Sequence, residues 1–112
     1  MKKLVVALDE EYVDDGYLEK IRSLASDYEL VVSKDRETIR GFIDEVEIAI
    51  GLYPLDLVGK SPKLKWLQWW WAGIEWLSNY PEIVEKEMFL TNSSGVHAVP
   101  MSEHCIGMMI CL

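Results

Sequence analysis

Two short stretches carry the residue types that could do chemistry. In the first, Gln68-Trp69-Trp70-Trp71 runs into Ala72-Gly73-Ile74, and Ile74 to Ser78 has the spacing of a helical turn. Free N–H groups where such a turn begins can hold a carboxylate or a phosphate. Gly73, without a side chain, lets a ligand come close to the backbone. The second stretch is Thr91-Asn92-Ser93-Ser94-Gly95-Val96-His97-Ala98-Val99-Pro100, small and polar, leading into an apolar tail. His97 and His104 are the general-base candidates. Neither has an evident acidic orienting partner beyond Glu103, so no catalytic residue is assigned, and His104 is expected to be a hydrogen-bonded structural residue.

Other chemistries find less support. The acidic loop after the first strand raises a receiver-type reading with Asp9 and Glu10 holding Mg²⁺, but such a site needs a carboxylate where this chain has Gly51-Leu52-Tyr53. That loop reads instead as a solvated acidic turn. Neither GxGxxG nor GxxxxGK[ST] occurs, so no phosphate-cradling loop is encoded. Cys105 and Cys111 lie six apart in an apolar segment, which fits neither a zinc knuckle nor a redox pair, and no metal ligands are assigned. They are expected to be reduced, buried thiols of a cytoplasmic protein. Trp66 is expected to point into the core. Trp69, Trp70 and Trp71 cannot all do so from a strand end, so at least one should line an interface or a ligand pocket. The formal net charge of −8 opposes nucleic acid, and no basic face is evident. No apolar run is long enough for a membrane span or a signal peptide.

The elements that must position these residues alternate. Leu4 to Leu8, Leu30 to Val32, Val46 to Ile50, Leu64 to Trp69 and Phe89 to Thr91 read as five strands. Between them, Tyr17, Leu18, Ile21, Leu24, Ala25 and Tyr28 recur at helical spacing, with Asp14 and Asp15 near the helix start. Asp35 is placed to cap a short helix burying Ile39, Phe42 and Ile43. Tyr53 to Val58 reads as a loop or short helix. Pro100 to Leu112 reads as a helix with Pro in its first turn. Strand–helix alternation predicts an α/β fold, a doubly wound five-stranded parallel sheet of order 2-1-3-4-5 with a C-terminal helix. In that order ligands sit at the carboxyl ends of the strands.

Leu64-Lys65-Trp66-Leu67-Gln68, Ala72-Gly73-Ile74-Glu75, Leu90-Thr91-Asn92-Ser93-Ser94-Gly95-Val96-His97-Ala98 and Pro100-Met101-Ser102-Glu103-His104 together resemble the D-isomer-specific 2-hydroxyacid dehydrogenases. The resemblance is specific from Leu64 onward; residues 1 to 60 fit only in strand–helix order. It implies that residues 1–98 form a flavodoxin-like substrate domain. Residues 99–112 would start the helix that crosses to an NAD- or NADP-binding Rossmann domain, which this sequence lacks together with the family's catalytic Arg, Glu and His. The chain would then be a truncated part of an oxidoreductase that moves hydride between nicotinamide and a small 2-hydroxy or 2-oxo acid, inactive by itself and binding no cofactor.

The resemblance also implies that Ala72, Gly73 and Ile74 hold the substrate carboxylate through their N–H groups, and that Met101 lies near the nicotinamide. Trp69-Trp70-Trp71 departs from the smaller or polar residues usual there. The alternative is a free-standing flavodoxin-like module that binds a small anion or another protein. Independently of the family, the segment from Cys105 to Leu112 carries no charge, and a helix apolar all round must be buried. A homodimer or higher oligomer through the 100–112 helix is therefore expected.

Overall fold

The computed structural model describes residues 1–112. Its five strands are β1 (Lys3–Ala7), β2 (Glu29–Val32), β3 (Val46–Gly51), β4 (Trp66–Trp69) and β5 (Phe89–Thr91). They form one all-parallel sheet of order β2-β1-β3-β4-β5, the order expected from the alternation. Its helices are α1 (Asp15–Leu24), α2 (Arg36–Gly41), α3 (Leu55–Val58), α4 (Pro81–Val84) and α5 (Ala98–Cys111). A 3-10 turn over Glu75–Asn79 stands where the sequence predicts a helical turn. The sequence reading has no counterpart of the one-turn α4, which starts on Pro81.

Strand periodicity divides the core. Val5 and Ala7 face one side of β1 and join Ala49, Leu67 and Trp69; Tyr53, Leu57, Val58 and Ile83 cover them. Leu4, Val6 and Leu8 face the other side, beneath Leu18, Ile21 and Ala25 of the α1 region. Helices thus cover both faces, as a parallel sheet requires. Tyr17 and Leu24 are exposed, against the expectation, because both lie at the edge of the stripe, on the side of Ile21 away from Leu18 and Ala25. The caps are local: Asp14 accepts from the Gly16 N–H at 2.6 Å, and Asp35 from the Thr38 N–H at 2.9 Å.

Inside the larger cluster the Tyr53 hydroxyl lies 2.8 Å from Ser61 Oγ, and Ser61 Oγ donates to the Leu57 carbonyl at 2.7 Å. Ser61 has one proton and uses it on Leu57, so Tyr53 donates to Ser61. Burial pushes the Tyr53 phenol above its ordinary pKa, which keeps it a donor. Gly51 closes β3 with φ of +99°. A Cβ there would stand 2.8 Å from the Ala7 carbonyl oxygen, so only glycine lets β3 turn away this close to β1.

Trp66 corrects the expectation that it points inward. β4 alternates, and Leu67 and Trp69 take the core side. Trp66 is left 41% exposed, its indole N–H donating to Thr91 Oγ1 at 2.8 Å, and Thr91 in turn donates to Gln68. Helix α5 starts two residues before Pro100 and buries none of its 14 residues. The radius of gyration, 16.5 Å, exceeds the roughly 13 Å of a compact chain this long. Cys105 and Cys111, expected to be buried, are free and exposed on this helix, and His104 is exposed with no hydrogen-bond partner. All three follow from an α5 that packs against nothing able to cover it.

Candidate carboxylate-binding turn

Parallel neighbours bring their carboxyl-end loops side by side, so the loop after β4 meets the loop after β5. Their contacts fix the Trp71–Ile74 backbone one peptide at a time. The Trp71 carbonyl accepts the Ser93 N–H at 3.3 Å. The Ala72 carbonyl accepts the Asn92 side-chain amide at 2.7 Å. The Gly73 carbonyl accepts the Trp76 indole N–H at 3.1 Å. Asn92 is itself oriented, since its side-chain oxygen accepts the Ser94 N–H at 3.2 Å.

In a trans peptide the carbonyl and the following N–H are antiparallel, and every peptide here is trans. Fixing three carbonyls therefore aims the N–H groups of Ala72, Gly73 and Ile74 the opposite way. None of these three N–H groups donates to an acceptor in the protein. Free N–H groups close together in a turn of fixed backbone are candidates to hold an anion. Ala72 and Gly73 are half-buried and Ile74 is exposed, so the donors are reachable.

One charge competes with a ligand. The Glu75 carboxylate lies over Gly73, so close that a Cβ on Gly73 would stand 2.5 Å from it. It accepts none of the three N–H groups, and its side chain is exposed and free to swing away. Beneath the turn, Trp69 is buried and packs on Trp76 with ring centroids 5.0 Å apart. Its indole N–H is buried without an acceptor.

Other sequence candidates are placed differently. His97 is exposed just before α5 and, with Trp70, Trp71, Ser93 and Val96, lines a cleft of about 320 Å³. No carboxylate faces it there. Asp9, from the receiver-type reading, pairs with Lys34 at 2.9 Å. No group of three His, Cys, Asp or Glu side chains is gathered to hold a metal. No helix is long and apolar enough to cross a membrane.

Met101 is 64% exposed on the uncovered α5. The loop after β1 presents exposed Glu10 and Glu11, which repel a pyrophosphate.

Sequence reasoning missed Asn92, Ser93 and Trp76 as the groups that set the turn. The available signal was the predicted strand order, which places the polar loop after the fifth strand beside the loop after the fourth. Comparison of the chain with protein-family models, with curated proteins and with solved structures found no match.

Proposed function

We propose that the chain is a carboxylate-recognising substrate domain, of the kind found in NAD(P)-dependent D-2-hydroxyacid dehydrogenases, and that it binds a 2-hydroxy or 2-oxo acid by its carboxylate. The observation that carries this reading is the row of free N–H groups at Ala72, Gly73 and Ile74 behind three occupied carbonyls. A carboxylate has two oxygens and about four lone-pair directions, and suits such a row. The pinned peptides need no reordering on binding. The role argued for these residues is to hold the acid by its carboxylate.

Amide chemical shifts recorded while titrating D-lactate, pyruvate and glyoxylate test this. The expected result is a saturable shift confined to residues 71–76 and 92–94, together with no oxidation of NADH by the isolated chain. Absence of any shift in the 72–74 amides overturns the carboxylate reading, and turnover of NADH overturns the restriction to binding.

The exposure of α5 favours a second reading, that of an interaction module. Val99, Met101, Ile106, Met108, Met109 and Ile110 are each more than half exposed. Large apolar side chains gathered on one exposed element are a common mark of an interaction surface. A homodimer or higher oligomer through the 100–112 helix would cover it. Light scattering tests this, with a stable monomer at high concentration as the contrary result.

A further inference from the structure

We propose that the crevice beside the turn, lined by Leu8, Tyr12, Leu52, Trp70 and Trp71 with Asp9, receives the side chain of the bound acid and selects a large apolar one, preferably aromatic. This inference rests on the carboxylate reading above and adds the class of acid.

The crevice has a volume of about 370 Å³. Its residues follow the ends of β1 (Leu8, Asp9), β3 (Leu52) and β4 (Trp70, Trp71), with Tyr12 from the short turn after β1. It therefore opens at the carboxyl ends of the strands on both sides of the β1/β3 switch, where doubly wound sheets place ligands.

The turn adjoins it. Ser93 and Asn92 follow β5, on one side of β4, and hold the Trp71 and Ala72 carbonyls from that side. The antiparallel N–H groups of Ala72 and Gly73 therefore face away from the β5 loop, and β3, whose end borders the crevice, lies on the other side of β4. Trp71 belongs to both, as crevice wall and as the residue before Ala72.

The chemistry of the two ends differs. Asp9 is the one ionisable group of the crevice apart from the Tyr12 phenol, and Lys34 occupies its carboxylate at 2.9 Å. No cation lines the crevice, so the ligand's carboxylate belongs at the N–H row and its apolar end among the rings. Those rings stand at angles: Tyr12 and Trp70 have centroids 6.3 Å apart at 52°, and Trp70 and Trp71 6.4 Å apart at 70°. Tilted rings present both faces and edges, the arrangement that accepts a further ring. The walls are held by backbone bonds, Trp70 N–H to the Gly51 carbonyl at 3.2 Å and Leu52 N–H to the Ala7 carbonyl at 2.8 Å. A methyl group would leave most of this space to water; a phenyl or branched alkyl group would displace it.

The test compares D-3-phenyllactate with D-lactate on the whole chain, following the 72–74 amides and the Trp70 and Trp71 indole N–H signals. Phenyllactate is expected to bind at least about tenfold more tightly and to move both sets of signals, while lactate moves the amides alone. Trp71→Ala, at a half-exposed position outside the core, is expected to abolish that preference. Equal affinities with amide shifts only would overturn the crevice assignment and leave the carboxylate reading standing. Failure of both acids to move the 72–74 amides would overturn both.

Discussion

Asn92, at the end of β5, donates its side-chain amide to the Ala72 carbonyl at 2.7 Å, while its own side-chain oxygen accepts the Ser94 N–H. A residue of one loop thereby sets the direction of a peptide in the next loop, and with it the direction of the Gly73 N–H. Removing the amide frees that peptide to rotate. Asn92→Ala is expected to weaken D-lactate binding by about fivefold and to cost about 1 kcal/mol of stability, read by amide titration and by urea denaturation. Unchanged affinity in a folded variant would show that the turn is held without Asn92.

Glu75 makes the opposite contribution. Its carboxylate lies over Gly73, so an incoming anion meets like charge or must displace it. Glu75→Gln is expected to tighten carboxylate binding by about two- to fourfold, the size of an exposed charge pair, with the gain shrinking as salt rises. Weaker binding in this variant would mean that Glu75 helps to build the turn.

The buried Tyr53–Ser61–Leu57 chain ranks two substitutions. Ser61→Ala leaves the Tyr53 hydroxyl and the Leu57 carbonyl without their shared partner, and is expected to cost about 2 kcal/mol. Tyr53→Phe keeps the Ser61–Leu57 bond and removes only a donor, for about 1 kcal/mol. Urea midpoints in the reverse order would contradict the assignment of Tyr53 as donor.

Acid sensitivity follows from the carboxylates. Lys3 holds the Glu29 carboxyl below its ordinary value, Thr38 holds Asp35 below, and Arg36 holds Asp56 below. Burial acts to raise Glu47, but the bonds from Lys65 and Tyr28 outweigh it and keep Glu47 low as well. Each group titrates at lower pH in the fold than in the unfolded chain. Its stabilisation is therefore whole above the unfolded value, about 4, and is lost as pH falls through the folded one. Urea midpoints are expected to hold steady from neutral pH to about pH 5 and to drop below about pH 4. Glu47→Gln should make the drop shallower; an unaltered slope would remove Glu47 from the account.

The sheet order was legible because apolar runs of strand length alternate with helical periodicity, and parallel strands leave few ways to connect them. Asp14 and Asp35 announced their helix starts by type and position. Trp66 was misjudged because a single apolar residue at a strand start does not say which face it takes; the inward placement of Leu67 and Trp69 decided it. Cys105 and Cys111 depart from expectation because an apolar segment is buried only where something covers it, and α5 has no cover here; His104, on the same helix, finds no hydrogen-bond partner for the same reason. At the turn, Ala72 and Gly73 were readable as a place for an anion. The partners that aim their N–H groups were not, since Asn92 acts across 20 residues of sequence. Tyr12 was hidden in a turn read as acidic and solvated, and its place beside Trp70 depends on how two loops meet.

The uncovered α5 also divides the molecule in time. An isolated helix of 14 residues is only marginally stable in water, while the sheet is held through two packed faces. Backbone deuterium uptake is therefore expected in two regimes: slow across β1, β3 and β4, where amides open with the whole domain, and fast along α5, where they open by fraying. Anything that seats on α5 would register first as slowed uptake from Met101 to Ile110, before the sheet responds at all.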